Sequence, residues 1–196
     1  MIKDGLHDVP AGKVAMVVTH LEMLAPAPTS GKAEPHDITF RRVEADLAWY
    51  RDMFDRVGTD WLWYGRRRLE DCALASILND PDVALYTLQK DGRDEALLEL
   101  DFRTNGQCEL AYFGLTKALI GTGAGRYLMD QAIRLAWAAP IKRFHVHTCT
   151  LDSAQALDFY QRSGFTPYKR QVEVDNDPRL SGHLPTNAAP HVPLIR

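Results

Sequence analysis

The run Ile120-Gly121-Thr122-Gly123-Ala124-Gly125-Arg126 is the part of the sequence best suited to holding a ligand. Glycines at 121, 123 and 125 let the main chain approach a bound group closely and adopt φ values that other residues resist. The run opens an amphipathic segment, so the unpaired N–H groups and positive dipole end of a helix face whatever sits in the loop. A diphosphate suits that place; the plain alternative is a flexible turn before a helix. A Walker loop requires GxxxxGK followed by Ser or Thr, and no Lys follows these glycines. A dinucleotide fingerprint requires GxGxxG. Counted from Gly121 its last place is Arg126, and counted from Gly123 it is Leu128. The acidic residue expected about 20 positions on is missing as well. A coenzyme A pyrophosphate loop is the third reading.

Other side chains with chemical potential lie on either side of that loop. Glu109 sits in an extended segment whose alternation places Ala111 and Phe113 on its face, with Cys108, Leu110 and Tyr112 opposite. It reads either as a partly desolvated base or substrate-orienting carboxylate, or as a solvent-facing one. Glu99 and Asp101 alternate on the preceding segment and read as surface residues. His145, His147 and Cys149 share one face of another strand. Consecutive members there stand ~7 Å apart, too far for adjacent pairs to chelate, so a pocket wall or core packing is expected and no metal. Thr148 lies near the end of the same strand. Trp61, Trp63 and Tyr64 form an aromatic cluster that is either an acceptor pocket or ordinary core, and Arg66-Arg67-Arg68 reads as a solvated face.

Composition narrows the partners. The 196 residues carry 23 Lys plus Arg against 26 Asp plus Glu, a net charge of -3, with only short basic clusters. Nucleic acid is therefore not expected as a partner. The longest early apolar run, Val14 to Val18, falls far short of the ~20 residues that span a bilayer. The first dozen residues bear Asp4, His7 and Asp8 in place of a basic and then apolar leader, so neither membrane nor export is expected. Three widely spaced cysteines without a CxxC pair fit a reducing cytoplasm and neither a disulfide framework nor a structural zinc site.

The elements that must position these groups follow from periodicity. Residues 13–24 read as an apolar strand, 25–36 as an exposed linker with three prolines, and 37–43 as a short strand. Asp46 to Val57 is helical by spacing with Gly58 as its stop, and a second helix is expected over 69–78. Strands follow over 83–89, 96–103 and 107–115, the last two joined by a turn containing Asn105-Gly106. A helix over 123–138, a strand over 144–150, a helix over 152–163 and a last strand over 168–174 complete the order. Asp152 with Gln155 looks like a capping box, and Gly164-Phe165 closes that helix. The pattern predicts an α+β fold, a single domain over 1–174 and a Pro-rich irregular tail over 175–196.

The glycine run resembles the GNAT family of acyl-CoA N-acetyltransferases, whose signature [RQ]xxGx[GA] opens a helix after a bulged strand. Only Ile120 departs from it, which removes any side-chain contact from that place. Downstream the family has an Asn, an Ala three residues later, an apolar residue, a Tyr and a terminal GF. This chain reads Ser153, Ala156, Leu157, Tyr160 and Gly164-Phe165, with Ser153 in place of the Asn. Residues 110–115 look like the family's fourth strand, and the resemblance covers roughly 83–170.

That resemblance implies a mixed, mostly antiparallel sheet flanked by helices, with its fourth and fifth strands splayed to admit the pantetheine arm of acetyl-CoA. Main-chain groups of Phe113 and Leu115 would pair with the pantetheine amides. Residues 121–126 would hold the pyrophosphate, with Arg126 adding positive charge and Ser153 capping a helix or meeting the arm. An amine would attack the thioester directly, with a backbone N–H near Leu115 facing the oxyanion. Tyr160 is then the general acid for the departing thiolate, or else packs on the cofactor without proton transfer, and Glu109 is the leading base. Thr148, Trp61, Trp63 and Tyr64 would line the acceptor site. The implied activity is acetyl transfer to a primary amine of a small molecule or peptide. The competing classes are a catalytically silent acyl-CoA-binding module and a dinucleotide oxidoreductase, the latter predicting nicotinamide binding. A homodimer through the N-terminal strand or the tail, or a sheet edge covered by them, is a further expectation.

Overall fold

A computed structural model describes residues 3–31 and 33–196. Its elements in chain order are β1 (Lys13–Met23), β2 (Ile38–Val43), α1 (Leu47–Gly58), α2 (Asp71–Leu78), β3 (Val83–Lys90) and β4 (Arg93–Asp94). Then come β5 (Ala96–Asp101), β6 (Gln107–Leu115), α3 (Ala124–Ala138), β7 (Arg143–Cys149), α4 (Ala156–Arg162) and β8 (Thr166–Asn176). The strands form one sheet in the order β2-β3-β5-β6-β7-β1-β8, with β4 paired to β3. Every pairing is antiparallel except β6 with β7. The expected α+β architecture, a mostly antiparallel mixed sheet between helices, is the one observed.

Turn chemistry places the strand ends. Asp91 and Gly92 take φ of +52° and +76°, the doubly left-handed geometry that joins β3 to β4 with the right twist. Alternation then sorts the core. Ala96, Leu98 and Leu100 of β5 pack with Leu128, Met129 and Ile133 of α3, while Leu97 faces Tyr50, Met53 and Phe54 of α1 on the other side. A third cluster sets Val14, Met16 and Val18 of β1 against Leu62, Leu151 and the C-terminal residues Leu184, Ala188 and Ala189.

Several expectations change. β1 neither covers a sheet edge nor offers one for a dimer contact: it lies inside the sheet, paired to β7 on one side and β8 on the other. Its residues Val14, Met16 and Val18 are buried on one face, while Val17 on the other face is partly exposed, the one-sided burial of a strand in an antiparallel sheet. α1 ends at Gly58, but not through a left-handed glycine: the chain runs on into a 3-10 turn that closes at Leu62, whose φ is +52°. Glycine is needed at 58 because a Cβ there would lie 2.5 Å from Trp63 Cβ. The Asp152 capping box is not formed. Helix α4 begins at Ala156 with Gln155 as its N-cap, since stronger tertiary donors take the Asp152 carboxylate.

Strand β8 runs two residues into the tail expected over 175–196, through Asp175 and Asn176; the residues beyond carry no helix or strand and are folded onto the sheet. Buried Arg179 donates to both carboxylate oxygens of buried Asp177 at 2.9 and 2.7 Å and to the carbonyls of Ala188 and Val192 at 3.3 and 2.8 Å. Among the described residues no helix is long and apolar enough to cross a membrane.

Candidate active site

Strands β6 and β7 pair only at Gln107–Arg143, Cys108–Phe144 and Glu109–His145, and then part. The parting is the splay expected of the family's fourth and fifth strands. A cavity of about 520 Å³ opens there, reaching from the head of α3 to the aromatic segment after α1. Thr116 N–H bonds the Glu95 carbonyl at 3.0 Å, which fixes which residues of β6 face β5. By antiparallel alternation, Gly114 turns its main-chain groups to β5, and Phe113 and Leu115 turn theirs into the slot.

The head of α3 leaves main-chain donors free. Gly123 is the N-cap at φ +87°, and Gly121 takes +81°. Thr122 serves the loop itself: its hydroxyl donates to the Leu119 carbonyl at 2.8 Å and accepts from the Ala124 N–H at 3.3 Å. Ala124 is buried against the core. Neither lines the cavity, whereas Gly121, Gly123 and Gly125 do, and among the described residues their amides donate to nothing in the chain. Arg126 lines the cavity but is already engaged, bonding the Arg162 carbonyl and Ser163 Oγ at 3.3 and 3.2 Å and lying 3.4 Å from Asp130. Its charge is therefore largely balanced within the chain.

Tyr160 and Ser153 line the same cavity. Tyr160 is wedged among Phe113, Phe159 and Phe165, and its hydroxyl has no hydrogen-bond partner among the described residues. Burial pushes its phenol pKa well up, so it stays protonated at neutral pH.

Glu109 does not share a face with Phe113. The β5–β6 register slips between Glu99–Tyr112 and Leu100–Leu110, leaving Ala111 as a bulge. The slip resets the alternation, so Glu109 and Tyr112 lie on one face and Phe113 on the other, against Phe159 and Tyr160. Glu109 does not line the cavity; His147 does, with Nδ1 3.4 Å from Glu109 Oε1. For His147 the sequence predicts core packing or a pocket wall, and nothing in the local pattern announces its carboxylate partner. The neighbouring His147 ring draws the Glu109 carboxyl below its ordinary range, and Glu109 in turn raises the His147 pKa. The His20 ring lies tilted against His147, with centres 5.8 Å apart, and its pKa is pushed down, first by burial and then by that like charge.

Trp61, Trp63 and Tyr64 line the opposite end of the cavity with Tyr112. Thr148 does not join them: it is buried and donates to Asp152 Oδ2 at 2.7 Å. The same carboxylate accepts from Cys149 N–H at 2.9 Å and, through Oδ1, from Trp63 Nε1 at 3.1 Å, tying the aromatic wall to the end of β7. Glu99 is not a surface residue. It is fully buried and binds the Tyr50 hydroxyl and Arg66. Arg66 in turn lies 5.2 Å from the centre of the Tyr112 ring, whose pKa burial pushes up to about 12. The arginine run is likewise not simply solvated, since Arg67 meets Asp55 at 3.1 Å and Arg68 meets Asp175 at 2.8 Å. Gly114, unremarked in the sequence, sits where a Cβ would fall 2.3 Å from Val57 Cγ1. Trp61 also touches His191 of the C-terminal segment, with ring centres 5.9 Å apart.

The sheet is thus parted between parallel strands, with a glycine-rich helix start beside the gap. The model of the acetyltransferase (GNAT) family matches residues 46–165, more than half of the chain, and the protein belongs to that family. A stretch of 77 residues is 34% identical to mycothiol acetyltransferase of Jonesia denitrificans, covering 39% of this chain. That stretch spans only 24% of the relative's length. Among solved structures, a putative GNAT acetyltransferase from Novosphingobium aromaticivorans superposes with a TM-score of 0.59 at 14% identity, over 86% of this chain and 68% of that one. An aminoglycoside acetyltransferase from an uncultured soil sample, in complex with sisomicin, superposes with a TM-score of 0.53 at 13% identity, over 65% of this chain and 87% of that one. These likenesses carry the fold.

Proposed function

We propose that the protein transfers the acetyl group of acetyl-CoA to a primary amine of a small molecule or peptide. The observation that carries this reading is the set of unpartnered amides of Gly121, Gly123 and Gly125 at the mouth of the slot opened by β6 and β7. Those donors fit a diphosphate, and the outward main-chain groups of Phe113 and Leu115 fit an amide-bearing arm taken up as an added strand. Bound there, acetyl-CoA supplies an activated thioester.

The chain's own residues do the rest. The Leu115 N–H, facing the slot, stabilises negative charge at the acyl oxygen. His147 turns its Nδ1–H toward the Glu109 carboxylate, which stays ionised, and so presents Nε2 as the base that takes the amine proton. Glu109 thus acts through His147 instead of meeting the substrate itself. Tyr160 delivers its hydroxyl proton to the departing sulfur. The wall of Trp61, Trp63, Tyr64 and Tyr112 excludes water and favours a flat or apolar acceptor next to its amine. The free thiols of Cys72, Cys108 and Cys149 suit a reducing cytoplasm.

Calorimetry with coenzyme A and thiol release from acetyl-CoA across a panel of amines test this reading. Uptake of coenzyme A and amine-dependent thiol release are expected. Uptake without release by any amine would leave a silent acyl-CoA-binding module, and no uptake would overturn the site itself.

A further inference from the structure

Charge is not spread evenly along the cavity. Among the described residues three arginines and two carboxylates line it. Arg126 and Arg162 stand at the α3 end, where Arg126 bonds the Arg162 carbonyl. Arg68 lies at the aromatic end, but Asp175 takes up its charge at 2.8 Å. Both lining carboxylates, Asp152 and Glu173, belong to that aromatic end. Asp152 accepts from Trp63, Thr148 and Cys149, all of them uncharged donors. Glu173 has no hydrogen bond or ion pair of its own among the described residues. It stands on β8 opposite Met16 of β1, and so turns to the face that carries Val18, His20 and, across β1, Cys149 and His147. Tyr64, Cys149 and His147 all lie within reach of its charge. Asp175, two residues on and on the same face, accepts from Tyr64 Oη at 3.1 Å and holds that ring in the wall. Lys169, on this face opposite His20, does not line the cavity.

We propose, on the acetyl-transfer reading above, that the acceptor is an aliphatic di- or polyamine: the Glu173 carboxylate holds its second ammonium while its first amine meets His147. Glu173 and His147 are two strands and four residues apart, ~16 Å between Cα atoms. Both side chains line the cavity and shorten that gap, and a spacer of several methylenes bridges what is left. The rings of Trp61, Trp63 and Tyr64 pack against methylenes, and a ring face also accepts a cation. Two carboxylates without a cationic partner, set in low-dielectric walls, favour a second positive charge and disfavour a negative one there. In the transfer the thioester C–S bond breaks and a C–N bond forms at one end of the diamine. The amine proton passes to His147, the departing thiolate takes the Tyr160 proton, and the product keeps one ammonium.

Thiol release from acetyl-CoA is measured with α,ω-diaminoalkanes of increasing length, monoamines of equal length and the corresponding ω-amino acids. Calorimetry follows binding of the same compounds to protein saturated with coenzyme A. Diamines are expected to show the highest kcat/KM, with an optimum in length, and ω-amino acids the lowest. Glu173→Gln should cut the preference for diamine over monoamine about tenfold. Glu173→Lys should place the amino acid above the diamine. Both alter one exposed strand residue, and thermal unfolding confirms that each variant is folded. Monoamines that match diamines, or a preference untouched by either substitution, would overturn the proposal and leave acetyl transfer standing. Diamine binding that depends on Glu173, with no thiol released by any compound, would support the diamine site and overturn the transferase reading instead. Neither binding nor release with any compound would overturn both.

Discussion

His147 stands between Glu109 and the cavity, its Nδ1 3.4 Å from Glu109 Oε1, so the carboxylate reaches the site only through the imidazole. The pair polarises both members: Glu109 sits below its ordinary pKa and His147 above. If His147 is the base it must be neutral to act, and the acid limb of the rate profile is then its titration, above pH 6.5. Glu109→Gln removes the group that raises that pKa, so the limb should move to lower pH while the plateau falls about tenfold for a weaker base. A limb that stays in place would show that another group titrates.

The same pair carries a signature in stability. A raised His147 pKa contributes stability that is complete below its unfolded value of 6.5 and is lost as pH rises through the folded value. A lowered Glu109 pKa contributes stability that is present above its unfolded value of 4.5 and is lost as pH falls through the folded value. The difference in unfolding free energy between wild type and His147→Ala should therefore be largest between those two unfolded values and shrink on either side of that window. Denaturant unfolding at several pH values reads it directly.

Tyr160→Phe should leave coenzyme A binding intact, because the ring's contacts with Phe113, Phe159 and Phe165 do not involve the hydroxyl. If the hydroxyl protonates the leaving sulfur, kcat falls by about 10²–10⁴. Equal kcat in both proteins would reduce Tyr160 to a packing residue.

What the sequence revealed and what it hid divide along the range of the interactions. The glycine run and the close of α4 were legible because their demands are local: φ of +87° at Gly123 and +100° at Gly164 can be met only cheaply by glycine. The place of β1 was not, since pairing Val18 with Cys149 depends on residues far away in sequence. Nor was the burial of Glu99, whose partners Tyr50 and Arg66 lie on other elements. The face of Glu109 was misread for a different reason: one extra residue at Ala111 shifts the period-two pattern, and no residue type there announces it.

Gly114 shows such a hidden constraint at the acceptor end. Its missing side chain admits Val57 Cγ1 and, at 3.2 Å from where a Cβ would be, Trp63 Cη2. Gly114→Ala should cost about 1–3 kcal/mol through overpacking and displace Trp63. The acceptor KM should then rise more than the coenzyme A dissociation constant does. Steady-state kinetics with both substrates varied separates the two effects.

The C-terminal segment should act on the acceptor end alone. Arg179 and Asp177 are buried almost completely, so Arg179→Met strands a carboxylate and should destabilise the protein by about 3–5 kcal/mol. Amide hydrogen exchange should quicken across 178–192 first, since the carbonyls of Ala188 and Val192 lose their donor. His191→Ala is milder, removing only the ring contact with Trp61. An edge-to-face aromatic contact is worth roughly 1 kcal/mol, so its loss should raise the acceptor KM by up to about fivefold while coenzyme A affinity stays constant. If both constants moved together, the segment would be supporting the whole sheet and not the aromatic wall.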